Sequence, residues 1–173
     1  MSKFYCELSH FPLIDPDIVN EGLDAVYEQP VLETGSEIIP RVTKSPTSFK
    51  ATKFCQDLCN KFGDVRPWFF RNNPMTVYDW HADASRSCAI NFLLNEVSTS
   101  LTLFRQATDT RLMYNIFPCT YTLYQPILFN TTISHCVINN SNEYRYILSI
   151  GFPTTTDYNS VKEFLLQYQT SKY

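Results

Sequence analysis

From about residue 66 onward the chain is cut into short segments, and this rhythm limits what it can fold into. Runs such as Trp68-Phe-Phe70, Met75–His81, Cys88–Leu94, Leu101–Arg105 and Tyr144–Phe152 are rich in aromatic and β-branched residues. Leu112–Phe117, Tyr121–Phe129 and His135–Ile138 continue the series. Turn-forming stretches (Asn95-Glu96, Ala107-Thr-Asp-Thr110, Asn139-Asn-Ser-Asn142) fall between them, at the spacing of about 8–12 residues expected of an all-β domain. The pattern predicts a mainly β fold, a sandwich or a jelly roll. Thirteen Phe and eleven Tyr against four Gly agree with pleated strands packed through aromatic rings.

The first 64 residues read differently. Asp15 suits an N-cap and Pro16 a first helical position; Ile18, Val19, Leu23, Val26 and Tyr27 then recur at helical spacing until Pro30. A helix over about 16–28 follows. A second is expected from Thr47 or Ser48 to Phe62, with Ala51, Phe54, Cys55, Leu58 and Cys59 on its apolar stripe and Gly63 as its stop. Residues 31–46, with Gly35, Pro40 and Pro46, read as loop with room for one short strand. After Pro153, Asp157 can cap a terminal helix carrying Val161, Phe164, Leu165 and Tyr168. The expectation is one domain over residues 1–173: helical support at 1–64, a β core at 65–153 and a C-terminal helix at 154–173, with the helices covering one outer face.

A net charge of −3 and a pI near 5.6 leave no basic footprint, so tight binding to a nucleic-acid backbone is disfavoured. Neither a secretory leader nor an apolar run of membrane-spanning length is evident, so a cytoplasmic protein with six reduced cysteines is expected. On that expectation the sequons at Asn130 and Asn139 are chance matches. Oligomeric state has no signal in the sequence.

The chemistry concentrates at His81-Ala-Asp83 and His135. Two imidazoles and one carboxylate suit a facial triad, which grips a metal on one side and leaves three octahedral positions open. In an extended strand residues i and i+2 share a face, so His81 and Asp83 can reach one ion while His135 approaches from another strand. Arg145 follows ten positions after His135, on one strand face with Ile147 and Ser149. If these two strands pair as a hairpin through the Asn-rich turn, Arg145 lies deeper than His135, where its fork can take a carboxylate.

Plainer roles compete with these. His81 and Asp83 can form a simple structural pair. Arg145 can face solvent, but a strand inside a closed roll is buried on both faces, and an unpaired Arg there is costly. Arg86 can guide a substrate or close a turn, and Trp80 can stack on a substrate or simply pack. Cys55 and Cys59 stand i, i+4 with no further ligand in reach, which favours core packing. His10 has no partner pattern and reads as structural. No Gly-rich phosphate loop, nucleophile elbow or zinc-type Cys cluster is present.

The segment Tyr78-Asp-Trp-His81-Ala-Asp83 is similar to the Tyr-x-x-His-x-Asp motif of the prolyl-4-hydroxylase-like branch of the Fe(II)/2-oxoglutarate-dependent dioxygenases. Cys88–Asn95 resembles that family's next core strand, and His135-Cys-Val137 with Arg145–Phe152 resembles its closing pair. The likeness spans about residues 75–152. Where the prolyl-hydroxylase pattern has a Gly-Gly stretch, this chain has Glu96-Val-Ser-Thr-Ser100. The run His81–Arg86 also distantly resembles aspartyl/asparaginyl hydroxylases and small phage- or bacterium-encoded oxygenases. The resemblance implies a double-stranded β-helix (jelly roll, cupin-like). It implies Fe(II) on His81, Asp83 and His135, the far carboxylate of 2-oxoglutarate on Arg145, and O2 as oxidant. Asn91 and Tyr124 then either hydrogen-bond the cosubstrate or are satisfied core groups. The implied activity is hydroxylation of a protein or peptide side chain, prolyl or Asx, or the same chemistry on a free amino acid or small metabolite. The alternative from another class is a non-catalytic jelly-roll binding or structural module, which would bind neither Fe(II) nor 2-oxoglutarate.

Overall fold

A computed structural model describes residues 3–8, 11, 14–28, 46–97, 99–108 and 113–170. His10 and the expected loop up to residue 45 lie outside the described residues. Nine strands and four helices are described: β1 (Tyr5–Glu7), α1 (Pro16–Asp24), α2 (Thr47–Ala51), α3 (Lys53–Phe62), β2 (Arg66–Asn72), β3 (Thr76–His81), β4 (Cys88–Leu93), β5 (Ser100–Ala107), β6 (Tyr114–Thr120), β7 (Pro126–Asn130), β8 (His135–Asn139), β9 (Arg145–Gly151) and α4 (Tyr158–Thr170). Five strands form one sheet in the order β1-β7-β4-β9-β2, and four form the other in the order β3-β8-β5-β6. Every strand pair is antiparallel. From β2 onward the chain crosses between sheets at every step except β5–β6. This is a jelly roll, the mainly β fold that the strand rhythm predicts.

The hairpin expected between the strands of His135 and Arg145 does not form. β8 pairs with β3 and β5, whereas β9 pairs with β2 and β4 in the opposite sheet. Asn139 explains the crossing. Its buried amide donates to the carbonyls of Asn73 (2.9 Å) and Glu143 (2.8 Å), and its Oδ1 accepts from Ser141 Oγ (2.8 Å). Those bonds tie the turn to the start of β3 and hold it as a bridge between layers. His135 and Arg145 consequently face each other across the roll.

The helices cover the outer face of the five-stranded sheet. Ile18 and Val19 (α1), Phe49 (α2), Leu58 (α3), and Val161 and Leu165 (α4) join one core with Phe69, Ile90, Phe92, Leu128, Leu148 and Ile150 from the sheet. Central β4 is buried along its whole length, which is why Cys88–Leu93 reads as a continuous apolar run. A smaller core of Phe4, Phe104, Cys119, Ile127 and Phe129 lies between the sheets. On the four-stranded sheet Val77, Tyr114 and Ile116 are exposed. No helix among the described residues is long and apolar enough to cross a membrane.

Two helix boundaries differ from expectation. α1 ends at Asp24, with Ala25 already extended, and the Tyr27 hydroxyl donates to the carbonyl of Gly22. The second helix breaks at Thr52, whose Oγ1 accepts from the amide of Cys55 (3.1 Å) and so starts α3. Upstream, the Glu21 carboxylate accepts from the amides of Thr47 (2.8 Å) and Ser48 (2.9 Å), placing negative charge at the N-terminus of α2.

Gly22 shows how closely α1 sits on the sheet. A Cβ there would lie 2.6 Å from Leu94 Cδ1 and 2.8 Å from Phe69 Cε1, both on buried side chains. Gly22→Ala is therefore expected to destabilise the fold by about 1–3 kcal/mol, as overpacking does. Urea denaturation checks this; an unshifted midpoint would contradict the seating of α1.

Candidate metal centre

A cavity of about 620 Å³ lies between the sheets. On the five-stranded side β2 and β9 line it in register, Trp68 beside Ser149, Phe70 beside Ile147 and Asn72 beside Arg145. Tyr78, His81, His135 and Val137 line the other side. Strict alternation along β3 would send Tyr78 and His81 to opposite faces, because they are three residues apart. The register shifts between them, and such a bulge re-aims side chains. His81 thereby comes opposite His135, with ring centroids 4.3 Å apart.

His81, Asp83 and His135 offer ligand atoms that all lie within 4.8 Å of one another, the one such group of three or more among the described residues. Each imidazole Nδ1 faces a backbone carbonyl two residues upstream, Asp79 at 2.6 Å for His81 and Ile133 at 2.9 Å for His135. A carbonyl only accepts, so Nδ1 carries the hydrogen and Nε2 keeps its lone pair. His81 Nε2 stands 4.0 Å from Asp83 Oδ1. Burial pushes the His135 pKa down to about 4; the Ile133 carbonyl opposes this and the neighbouring His81 adds to it. The imidazole is therefore neutral near pH 7, the form that binds metals. Asp83 lies beyond β3, held where its amide donates to the Thr131 carbonyl (2.9 Å). Two imidazoles, one carboxylate and an open cavity could hold a divalent ion on one face.

Arg145 lies deeper. The residue is 2% exposed, and its guanidinium sits 4.6 Å over the Tyr121 ring. Nη1 donates to Asn72 Oδ1 at 3.3 Å, while Nε and Nη2 have no hydrogen-bond partner among the described residues. Asn91, also buried on this wall, has no hydrogen-bond partner for its Oδ1 among the described residues. Burial raises the Tyr121 pKa against the opposing pull of Arg145, which keeps the phenol protonated as a donor.

The cavity thus gathers His81, Asp83, Arg86, Asn91, His135 and Arg145. It does not gather Tyr124 or Trp80. Tyr124 has a positive φ of 63°, donates its amide to the Leu93 carbonyl and packs against the main core. The expected strand from Tyr121 begins only at Pro126, and Tyr121 instead faces Arg145. Pro126 was the available signal, since proline is tolerated at the first residue of a strand and poorly inside one. Trp80 stacks against the Arg105 guanidinium at 4.7 Å, away from the cavity lining. The six thiols are free, and Cys55 is buried in the helical core.

No family model and no curated protein matches the chain. Solved structures do. A prolyl hydroxylase from Trichoplax adhaerens, in complex with a peptide fragment of the hypoxia inducible factor oxygen degradation domain, aligns with a TM-score of 0.63 at 10% identity over 88% of this chain and 84% of that one. A Pseudomonas putida prolyl-4-hydroxylase aligns at 0.58 and 14% identity, over 87% and 92%. An oxidoreductase of the 2OG-Fe(II) oxygenase family from Burkholderia pseudomallei aligns at 0.53 and 13%, over 81% and 78%. At such identities the likeness is one of fold, and the fold of this chain is the jelly roll of the 2OG-Fe(II) oxygenases.

Proposed function

We propose that the chain is an Fe(II)- and 2-oxoglutarate-dependent oxygenase that hydroxylates a protein or peptide side chain, prolyl or Asx. The observation that carries this reading is the buried, half-satisfied guanidinium of Arg145 in a cavity that also holds the His81, Asp83 and His135 cluster. Burying an unpaired charge costs several kcal/mol, and a bound dicarboxylate removes that cost. Ser149, linked to Asp83 through Arg86, stands four residues from Arg145, about 13 Å of strand rise.

In this reading His81 Nε2, one Asp83 oxygen and His135 Nε2 hold Fe(II). When bound, iron with 2-oxoglutarate and O2 supplies the oxidising power for hydroxylating an unactivated C–H, with succinate and CO2 as co-products. The protein's share is geometry. Arg145 Nε and Nη2 donate to the far carboxylate of 2-oxoglutarate, and the Tyr121 and Asn91 side chains stand beside it. Trp68, Phe70 and Ile147 supply apolar wall that limits water. The peptide carried by the Trichoplax prolyl hydroxylase supports a peptide substrate. A free amino acid or small metabolite is the second class to test. Among the described residues no basic track leads to the cavity mouth, where Arg66 is ion-paired with Asp64; this weighs against nucleic acid.

Three outcomes are expected. His135→Ala abolishes tight binding of Fe(II), or of Mn(II) as a stand-in, in anaerobic titration; retained affinity would remove the triad. Arg145→Ala weakens 2-oxoglutarate binding about ten- to a hundredfold, the value of a charge-assisted hydrogen bond, while metal affinity holds. Arg145→Lys is milder yet measurable, since an ammonium lacks the planar fork. Unchanged cosubstrate affinity in Arg145→Ala would refute that role. Last, succinate release rises above its uncoupled background with Pro- or Asn/Asp-containing peptides. Stimulation by free amino acids alone would reassign the substrate class, and stimulation by single-stranded DNA or RNA alone would overturn the charge argument.

A further inference from the structure

Arg86 spans the mouth of the roll. Its Nε donates to Asp83 Oδ2 at 2.6 Å, and its Nη1 donates to Ser149 Oγ at 2.9 Å on the opposite sheet. Its stem crosses Gly151, where a Cβ would lie 3.1 Å from Arg86 Cδ. Its own carbonyl accepts from Thr131 Oγ1 (3.1 Å), and the Thr131 carbonyl accepts from the Asp83 amide. The segment from Asp83 to Arg86 is therefore fixed from the side of the five-stranded sheet, by Ser149 on β9 and by Thr131 just past β7. Asp83 Oδ2 is engaged by a cation, and Oδ1 is the oxygen nearest His81 Nε2, at 4.0 Å.

We propose that Arg86 is a positioning residue that makes Asp83 a one-oxygen ligand. The proposal rests on the oxygenase reading above and adds to it a requirement on the number of ligands. Six octahedral positions minus two imidazoles and one carboxylate oxygen leave three. A chelating 2-oxoacid takes two of these, and O2 needs the third. A carboxylate free to swing can bind through both oxygens, and the site is then one position short. The charge-assisted bond from Arg86 holds the second oxygen away, and Ser149 with the bare backbone at Gly151 holds Arg86. This also gives a physical reason for a glycine in Ser149-Ile-Gly151: a side chain there meets the Arg86 stem at close range. The role differs from both expectations for Arg86, that of substrate guide and that of turn closure.

The test uses the full chain with Co(II), titrated without oxygen and then with 2-oxoglutarate, followed by visible absorption. Wild type is expected to bind both. Arg86→Gln should keep Co(II) affinity, show changed ligand-field bands and bind 2-oxoglutarate about tenfold or more weakly, the range for losing an outer-shell partner. Arg86→Lys should restore part of that loss, and Ser149→Ala should show the same shift at smaller size. Wild-type spectrum and cosubstrate affinity in Arg86→Gln would overturn the proposal while leaving the oxygenase reading intact. Parallel loss of Co(II) binding and thermal stability, without rescue by lysine, would overturn it by making Arg86 a fold element. If Arg86→Gln does not fold, Ser149→Ala decides alone. A wild type that binds neither Co(II) nor 2-oxoglutarate refutes the oxygenase reading itself.

Discussion

Keeping a guanidinium between two β-sheets without a carboxylate is the demand around which this structure is arranged. Arg145 donates one hydrogen bond to Asn72 and lies over the face of Tyr121, and two of its nitrogens have no hydrogen-bond partner among the described residues. Such a group tends to pull its strand toward water. β9 resists because its other face carries Leu148 and Ile150 into the core beneath the helices. Each fully buried aliphatic side chain of that kind contributes about 1.5–3 kcal/mol. The apolar face of β9 therefore offsets the strain on its polar face, and the cavity can stay polar at depth.

The same strand shows how the site joins the two halves of the roll. Arg145 belongs to one sheet and the two histidines to the other, so neither sheet alone contains the whole candidate site. Arg86 and Asn139 link the layers at different places, one by a side-chain bridge to Ser149 and one by an amide donating to carbonyls of the facing turns.

Strand rhythm narrowed the fold to a sandwich or a jelly roll and the family resemblance pointed to the second, while the four residues His81, Asp83, His135 and Arg145 singled out in the sequence do line one cavity. Alternation correctly placed Ile147 and Ser149 on the face of Arg145. What failed were features set by contacts distant in sequence. A hairpin between β8 and β9 looks natural through an Asn-rich turn, but the turn's amides find partners in another layer. Tyr121 and Tyr124 both precede the strand start at Pro126, and only the path of that loop, with Tyr124 at positive φ and Tyr121 under Arg145, separates them. The bulge in β3 is equally silent: nothing in Tyr78-Asp-Trp-His81 announces that two residues three apart share a face. Among the described residues short β1 pairs with β7 alone, and it has too few residues to show a period.

The one-sided distribution of helices makes the two sheets unequal springs. The sheet holding Arg145 is braced from behind, whereas the sheet holding His81 and His135 leaves Val77, Tyr114 and Ile116 to solvent. Local opening costs least where few apolar contacts must break, so the histidine-bearing layer is the softer partner. On the proposed reading, an ion held by residues at β3 and the start of β8 would act at that compliant edge, and by mass action its binding would stabilise the layer with the logarithm of its concentration.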